Sequence, residues 1–135
     1  MESPLLSIRS TSSKRELVLS GRQGDNFRAE LSGFEVSAAT SVWAYTDAMG
    51  LNKLFQEIGH VNKPWQGERK WASLEGEFSI SATCTTLGNV TFRITMCGSQ
   101  GAPEEWRVAV GLSTEFGQLE KIAKDSDAFF NGTGT

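Results

Sequence analysis

Two alternating runs in the second half of the chain constrain its fold more than any other feature. In residues 78–84, Phe78, Ile80, Ala82 and Cys84 point one way and Ser79, Ser81 and Thr83 the other. In residues 90–97, Val90, Phe92, Ile94 and Met96 alternate with Thr91, Arg93, Thr95 and Cys97. A period of two marks a strand with one face buried. Between the runs, Thr86-Leu87-Gly88-Asn89 is a turn by composition, so the two form a hairpin. Setting Cys84 against Val90 places Ala82 against Phe92, Ile80 against Ile94 and Phe78 against Met96, with every apolar residue on one side. A slip of one residue would put one strand's apolar set on the solvent face. A third run, Trp106, Val108, Val110 and Leu112, extends the hairpin to a meander, with Met96 expected opposite Trp106 and Ile94 opposite Val108.

The other face of this meander carries Ser81, Thr83, Thr91, Arg93, Thr95 and Arg107. Such a face is ordinarily just solvated sheet. It is also flat, rigid and rich in adaptable hydrogen-bonding groups, which suits protein recognition. Cys84 falls on the apolar face and Cys97 on the polar one, whereas a disulfide needs Cβ atoms within about 4.5 Å and pointing at each other. Both are expected to be free thiols.

Upstream, Leu51, Leu54, Phe55 and Ile58 follow helical spacing, with Thr46 or Asp47 to cap the start and Gly59 followed by Pro64 to end it. A second helix opens at Gly117-Gln118 and groups Leu119, Ile122, Ala123 and Phe129 or Phe130 on one face that should dock on the sheet. Leu5–Ile8 and Glu16–Leu19 read as an opening hairpin across the polar 10–14 cluster. After a turn at Gly21–Asp25, strands follow over Phe27–Ser32 and up to Val42–Tyr45, with Gly33 and the Ser/Ala/Thr-rich Ser37–Ser41 marking a bulge or bend. The 135 residues suffice for one hydrophobic core. The expected architecture is a single α+β domain over 1–135, an antiparallel meander of about six or seven strands with two helices packed against it, and a disordered tail over about 131–135.

The stretch Pro64 to Phe78 joins the first helix to the meander. Trp65 is expected to plug the gap between helix and sheet, with Gly67 permitting the tight turn. Glu68, Arg69 and Lys70 remain as exposed charges, and Trp71 is either packing or an interface anchor.

Chemistry is not visible in the sequence. Phosphate-binding glycine loops, nucleophile elbows and zincin helices do not occur in it. The one histidine, His60, has no sequence partner for acid–base work and reads as a surface imidazole at a helix end. Two cysteines and a distant histidine make no zinc site. Carboxylate pairs at Glu75 and Glu77 and at Glu104 and Glu105 sit beside turns, where solvated pairs are the norm. The expectation is a protein that is not an enzyme and needs no cofactor or metal. Thirteen basic against sixteen acidic residues, a net charge of −3, argue against nucleic acid as partner. The excess lies in the second half, so an acidic surface is expected there, ordinarily just a solvated one, though such a surface could also steer toward a basic partner. No apolar run approaches the roughly 20 residues that span a bilayer, and Met1-Glu2-Ser3-Pro4 lacks the features of a signal peptide, so a cytoplasmic location without membrane contact is expected.

Leu54-Phe55-Gln56-Glu57-Ile58, Trp65-Gln66-Gly67, Trp71, Leu74-Glu75-Gly76, the hairpin with its Gly88-Asn89-Val90 turn, Trp106 and Gln118-Leu119 form a skeleton of aromatic and glycine positions over residues 27–123. It resembles small bacterial proteins similar to the WapI-type immunity proteins, which neutralise contact-dependent polymorphic toxins. This chain departs from them in the hairpin turn, where Thr85, Thr86 and Gly88-Asn89-Val90 replace an Asp and a Gly-His-Val. The resemblance implies a cytosolic immunity protein that binds the C-terminal domain of a cognate toxin and occludes it, which requires no catalytic residue. Partner-binding candidates are Glu68, Arg69, Lys70, Trp71, Arg93, Arg107, Glu104 and Glu105. The competing expectation is a half-barrel whose apolar face, lined by Phe78, Phe92, Ile94 and Trp106, holds a small apolar ligand.

Overall fold

The structure, a computed structural model, describes residues 5–33, 35–45, 47–98 and 101–131. Thr46, Ser99, Gln100 and the 132–135 end of the expected tail lie outside them. The strands are β1 (Leu6–Arg9), β2 (Glu16–Gln23), β3 (Asn26–Gly33), β4 (Val36–Trp43), β5 (Arg69–Ala72), β6 (Phe78–Cys84), β7 (Asn89–Gly98) and β8 (Trp106–Glu115). The helices are α1 (Ala48–Gly59), between β4 and β5, and α2 (Leu119–Asn131), entered through a 3-10 turn at Phe116–Gln118. The class is α+β, as the sequence indicates. Its strands, however, form two four-stranded antiparallel sheets, β1-β2-β3-β4 and β5-β6-β7-β8, where one meander of six or seven strands is expected. The break falls where α1 carries the chain away from β4.

In the second sheet the hairpin has the expected register, with Phe78 opposite Met96, Ile80 opposite Ile94, Ala82 opposite Phe92 and Cys84 opposite Val90. The third strand is displaced by two residues from expectation. Met96 faces Val108 and Ile94 faces Val110, because β7 runs on to Gly98 and Trp106 pairs with that glycine. A side chain at Gly98 would collide with the Trp106 indole, so the ring lies where only hydrogen can be. A shift of two keeps the parity, and Val110 and Leu112 stay inside.

The first sheet differs more. Ser37–Ser41 is not a bend but the middle of β4, with Ala38 opposite Leu31 and Thr40 opposite Ala29. The register instead shifts in β2 between Ser20 and Gln23. Gly33, at φ 133°, closes the β3–β4 hairpin and lies against the Lys14 backbone.

One core joins these parts. Phe27 of β3 meets Phe78 of β6 at 6.3 Å and Phe129 and Phe130 of α2 at 6.1 and 6.0 Å, each edge to face. Phe55 of α1 lies 6.2 Å from Phe92 of β7. Trp65 is buried in the same core, and Gly67, at φ 83°, makes the turn behind it. The helices also share a buried polar cluster. Ser126 Oγ donates to Asn52 Oδ1 at 2.7 Å, and Gln56 Nε2 donates to both Asn52 Oδ1 and the Ala123 carbonyl. The sheets are tied where Thr11 N–H donates to Ser113 O at 2.7 Å and Trp43 N–H to Glu77 Oε2 at 2.8 Å.

Candidate functional site

Alternation along β5 to β8 places small and polar side chains in rows across the outer face of the second sheet. One row is Lys70, Ser81, Arg93 and Gly111; the next is Ala72, Ser79, Thr95 and Ala109. A third holds Thr83, Thr91 and Ser113, and Cys97 stands beside Arg107. Neighbouring strands are about 4.8 Å apart, so Lys70 and Arg93 emerge about 10 Å from one another with the Ser81 hydroxyl between them. An open groove of about 660 Å³ runs here, bounded by Asp47, Glu68, Lys70, Trp71, Arg93 and Thr95.

Of the residues named from the sequence, Glu68, Lys70, Trp71 and Arg93 come together in this groove. Trp71 is a wall rather than a projecting anchor. It is 8% exposed, and its indole N–H donates to Asp47 Oδ2 at 3.0 Å. Arg107 lies on the same face, on the outermost strand. Arg69 turns the other way, 3.9 Å from Glu57 of α1. Glu104 and Glu105 sit apart in the exposed β7–β8 connection, where Glu105 Oε2 accepts the Gly101 N–H at 2.8 Å.

Asp47 is the groove residue whose partner sequence reasoning missed. It occupies the N-cap position of α1 but makes no side-chain cap, because its carboxylate is taken by Trp71. Glu77, expected to be a solvated partner of Glu75, is instead a clasp, accepting from Trp43 N–H through one oxygen and from Ser73 Oγ–H through the other.

On the strands of this face three bases, Lys70, Arg93 and Arg107, stand against one acid, Glu115 at the end of β8, with Asp47 and Glu68 at the edge of the groove. Among the described residues the ion pairs are Arg9–Glu16, Arg28–Glu30, Arg69–Glu57 and Lys121–Asp125, so Lys70, Arg93 and Arg107 take part in none. The expectation that the acidic second half presents an acidic surface does not hold for this face. Of the second half's acids, Glu115 ends β8 on this face and Glu68 borders the groove, while the rest lie in turns and connections or on α2, and the strands of the face keep Lys70, Arg93 and Arg107.

Nucleophiles are poorly placed. Burial pushes the Cys84 thiol above its ordinary value, and a hydrogen bond with the Trp65 backbone offsets this only in part, which disfavours the reactive thiolate. Both cysteines are free. His60 is exposed, with Nδ1 donating to the Gln56 carbonyl at 2.7 Å. Among the described residues no group of three His, Cys, Asp or Glu side chains is placed to hold a metal ion, and no helix is long and apolar enough to cross a membrane.

No curated protein and no solved structure matches the chain significantly. One family model does, over residues 8–133. Because that match runs from β1 to beyond α2, it takes in both sheets, both helices and the cationic face, and the chain belongs to the family of unknown function DUF6228.

Proposed function

We propose that this domain is a cytoplasmic immunity protein that binds the C-terminal domain of a cognate toxin and covers its working surface, with no chemistry of its own. The observation that carries the reading is the outer face of the second sheet. Lys70, Arg93 and Arg107 stand without ion-pair partners among the described residues, on a flat field of Ser and Thr hydroxyls. Cations already held by internal carboxylates could not contribute to a partner without first losing those bonds. Among the described residues these three are in no ion pair, and their complement is a surface that carries carboxylates. A rigid sheet also loses little conformational freedom on docking. The opposite, apolar face supports this reading over a pocket for a small ligand, since Phe78, Phe92 and Ile94 are fully covered and Phe55 of α1 packs on Phe92.

Co-expression with the variable C-terminal domain of a secreted protein encoded beside this gene tests the proposal. A complex and rescue of growth are expected. Lys70→Glu combined with Arg93→Glu should weaken that complex at least about tenfold, the scale for reversing charges at an interface, while the melting temperature stays put. Absence of both complex and rescue would remove the immunity reading.

A further inference from the structure

The edge of a sheet exposes a row of unpaired backbone N–H and C=O groups, and proteins normally cover or interrupt it. Three of the four edges here are managed. α2 lies against β1. β4 is fastened to the second sheet by Thr40 Oγ1, which donates to Cys97 O at 3.3 Å, and by Trp43 N–H on Glu77. β5 is four residues long, carries Arg69 and Lys70, and lies beside α1. The fourth edge, that of β8, is ten residues long and contains neither proline nor lysine.

One contact fixes how β8 presents itself. Ser113 O accepts from Thr11 N–H, and Ser113 N–H donates to Ser10 Oγ, so both backbone groups of Ser113 face away from β7. In an antiparallel strand every second residue faces the same edge. Gly111, Ala109 and Arg107 therefore also turn their N–H and C=O outward. Among the described residues none of the three has a backbone partner on that side, and Ala109 and Arg107 are exposed.

We propose that this edge pairs with the same edge of a second copy of the chain, β8 against β8, antiparallel about a two-fold axis at Ala109. The occupant is argued from the fit of the edge to itself. Pairing about Ala109 sets Arg107 opposite Gly111 of the partner subunit, so the largest outward side chain meets the position that has none. The two arginines stay apart, avoiding like charges in register. On the inner face, Val108 meets Val110 of the partner subunit and Trp106 meets Leu112 of the partner subunit. Trp106 and Val108 are the incompletely covered apolar residues of this strand. Each facing pair among Arg107, Ala109 and Gly111 exchanges two backbone hydrogen bonds. The interface is isologous and closes at a dimer. It joins the two second sheets into one, with both cationic faces on the same side.

Sedimentation of the full chain over about 5–500 µM, the range of weak specific association, reads the state directly. The expected mass rises from 14.7 kDa toward twice that value. A monomer throughout overturns the proposal. Gly111→Lys sets two cations opposite each other across the seam and should weaken association at least about tenfold. Adding Arg107→Glu makes the facing charges opposite and should restore it. A methyl at Gly111 would have only Thr91 Cγ2, at 3.8 Å, as neighbour, so the fold tolerates the substitution. Ala109→Pro deletes an outward N–H and should abolish pairing; if that variant does not fold, the charge pair decides alone. A dimer indifferent to the charge variants overturns this edge as its seam.

Discussion

Trp65 and Trp71, six positions apart, use their indole nitrogens differently. Trp71 Nε1 donates to Asp47, whereas Trp65 Nε1 is buried without a partner. Phenylalanine leaves a smaller ring at either position and removes the N–H group; with both rings equally buried the packing loss is similar, and the difference rests on the N–H. At position 65 the change deletes an unsatisfied donor; at position 71 it also leaves the Asp47 carboxylate without its donor. Trp71→Phe should therefore cost about 1 kcal/mol more than Trp65→Phe in urea unfolding, the net worth of one hydrogen bond. The packing role of Trp65 is legible in the sequence, because a tryptophan before a glycine turn, between helix and sheet, has little else to do. The role of Asp47 is not, since its partner lies 24 residues away and a carboxylate before a helix reads as a cap. Glu77 misleads for the same reason, its nearest backbone donor being on another sheet.

Between elements, the two helices are in tight contact where α1 ends. A side chain at Gly59 would collide with Ala123 of α2, so the glycine that stops the first helix also admits the second. Gly59→Ala should destabilise the protein by about 2 kcal/mol despite the better helix propensity of alanine, because overpacking costs about 1–3 kcal/mol and here forces the shared Asn52–Gln56–Ser126 cluster apart. Thermal melting of the variant measures this, and an unchanged or higher midpoint would contradict it. The legibility of the strands follows their burial pattern. β6 and β7 alternate over most of their length, and their register follows from parity alone. β5 buries only Trp71 among its four residues, too little for a period to show. β4 hides its inner face behind Ala38 and Thr40, small residues that resemble a loop until Leu31 and Ala29 are seen opposite them. The offset of β8 depends on Trp106 lying over Gly98, a contact between strands that neither strand announces.

Across the whole molecule, Phe27 is the common point of both sheets and α2. Phe27→Ala should cost about 3–5 kcal/mol, as for other buried phenylalanines. The loss should appear as one cooperative transition at lower denaturant, with far-UV and tryptophan signals coincident; separate transitions would show that the sheets hold independently. The division into two sheets was not legible, because each half reads as its own set of hairpins and the contacts that unite them are long-range. Charge was misleading at this scale too, since a count over half the chain says nothing about which residues share a face. The topology has a consequence for synthesis. Within each sheet every strand pairs with its neighbour in sequence, so β1 to β4 can zip together while the remainder is still being made. Phe78, Phe129 and Phe130, which surround Phe27, come later in the chain. Until they emerge, the nascent first sheet displays Leu17, Leu19, Phe27 and Leu31 uncovered, which makes the half-made chain a substrate for chaperones that hold apolar strands.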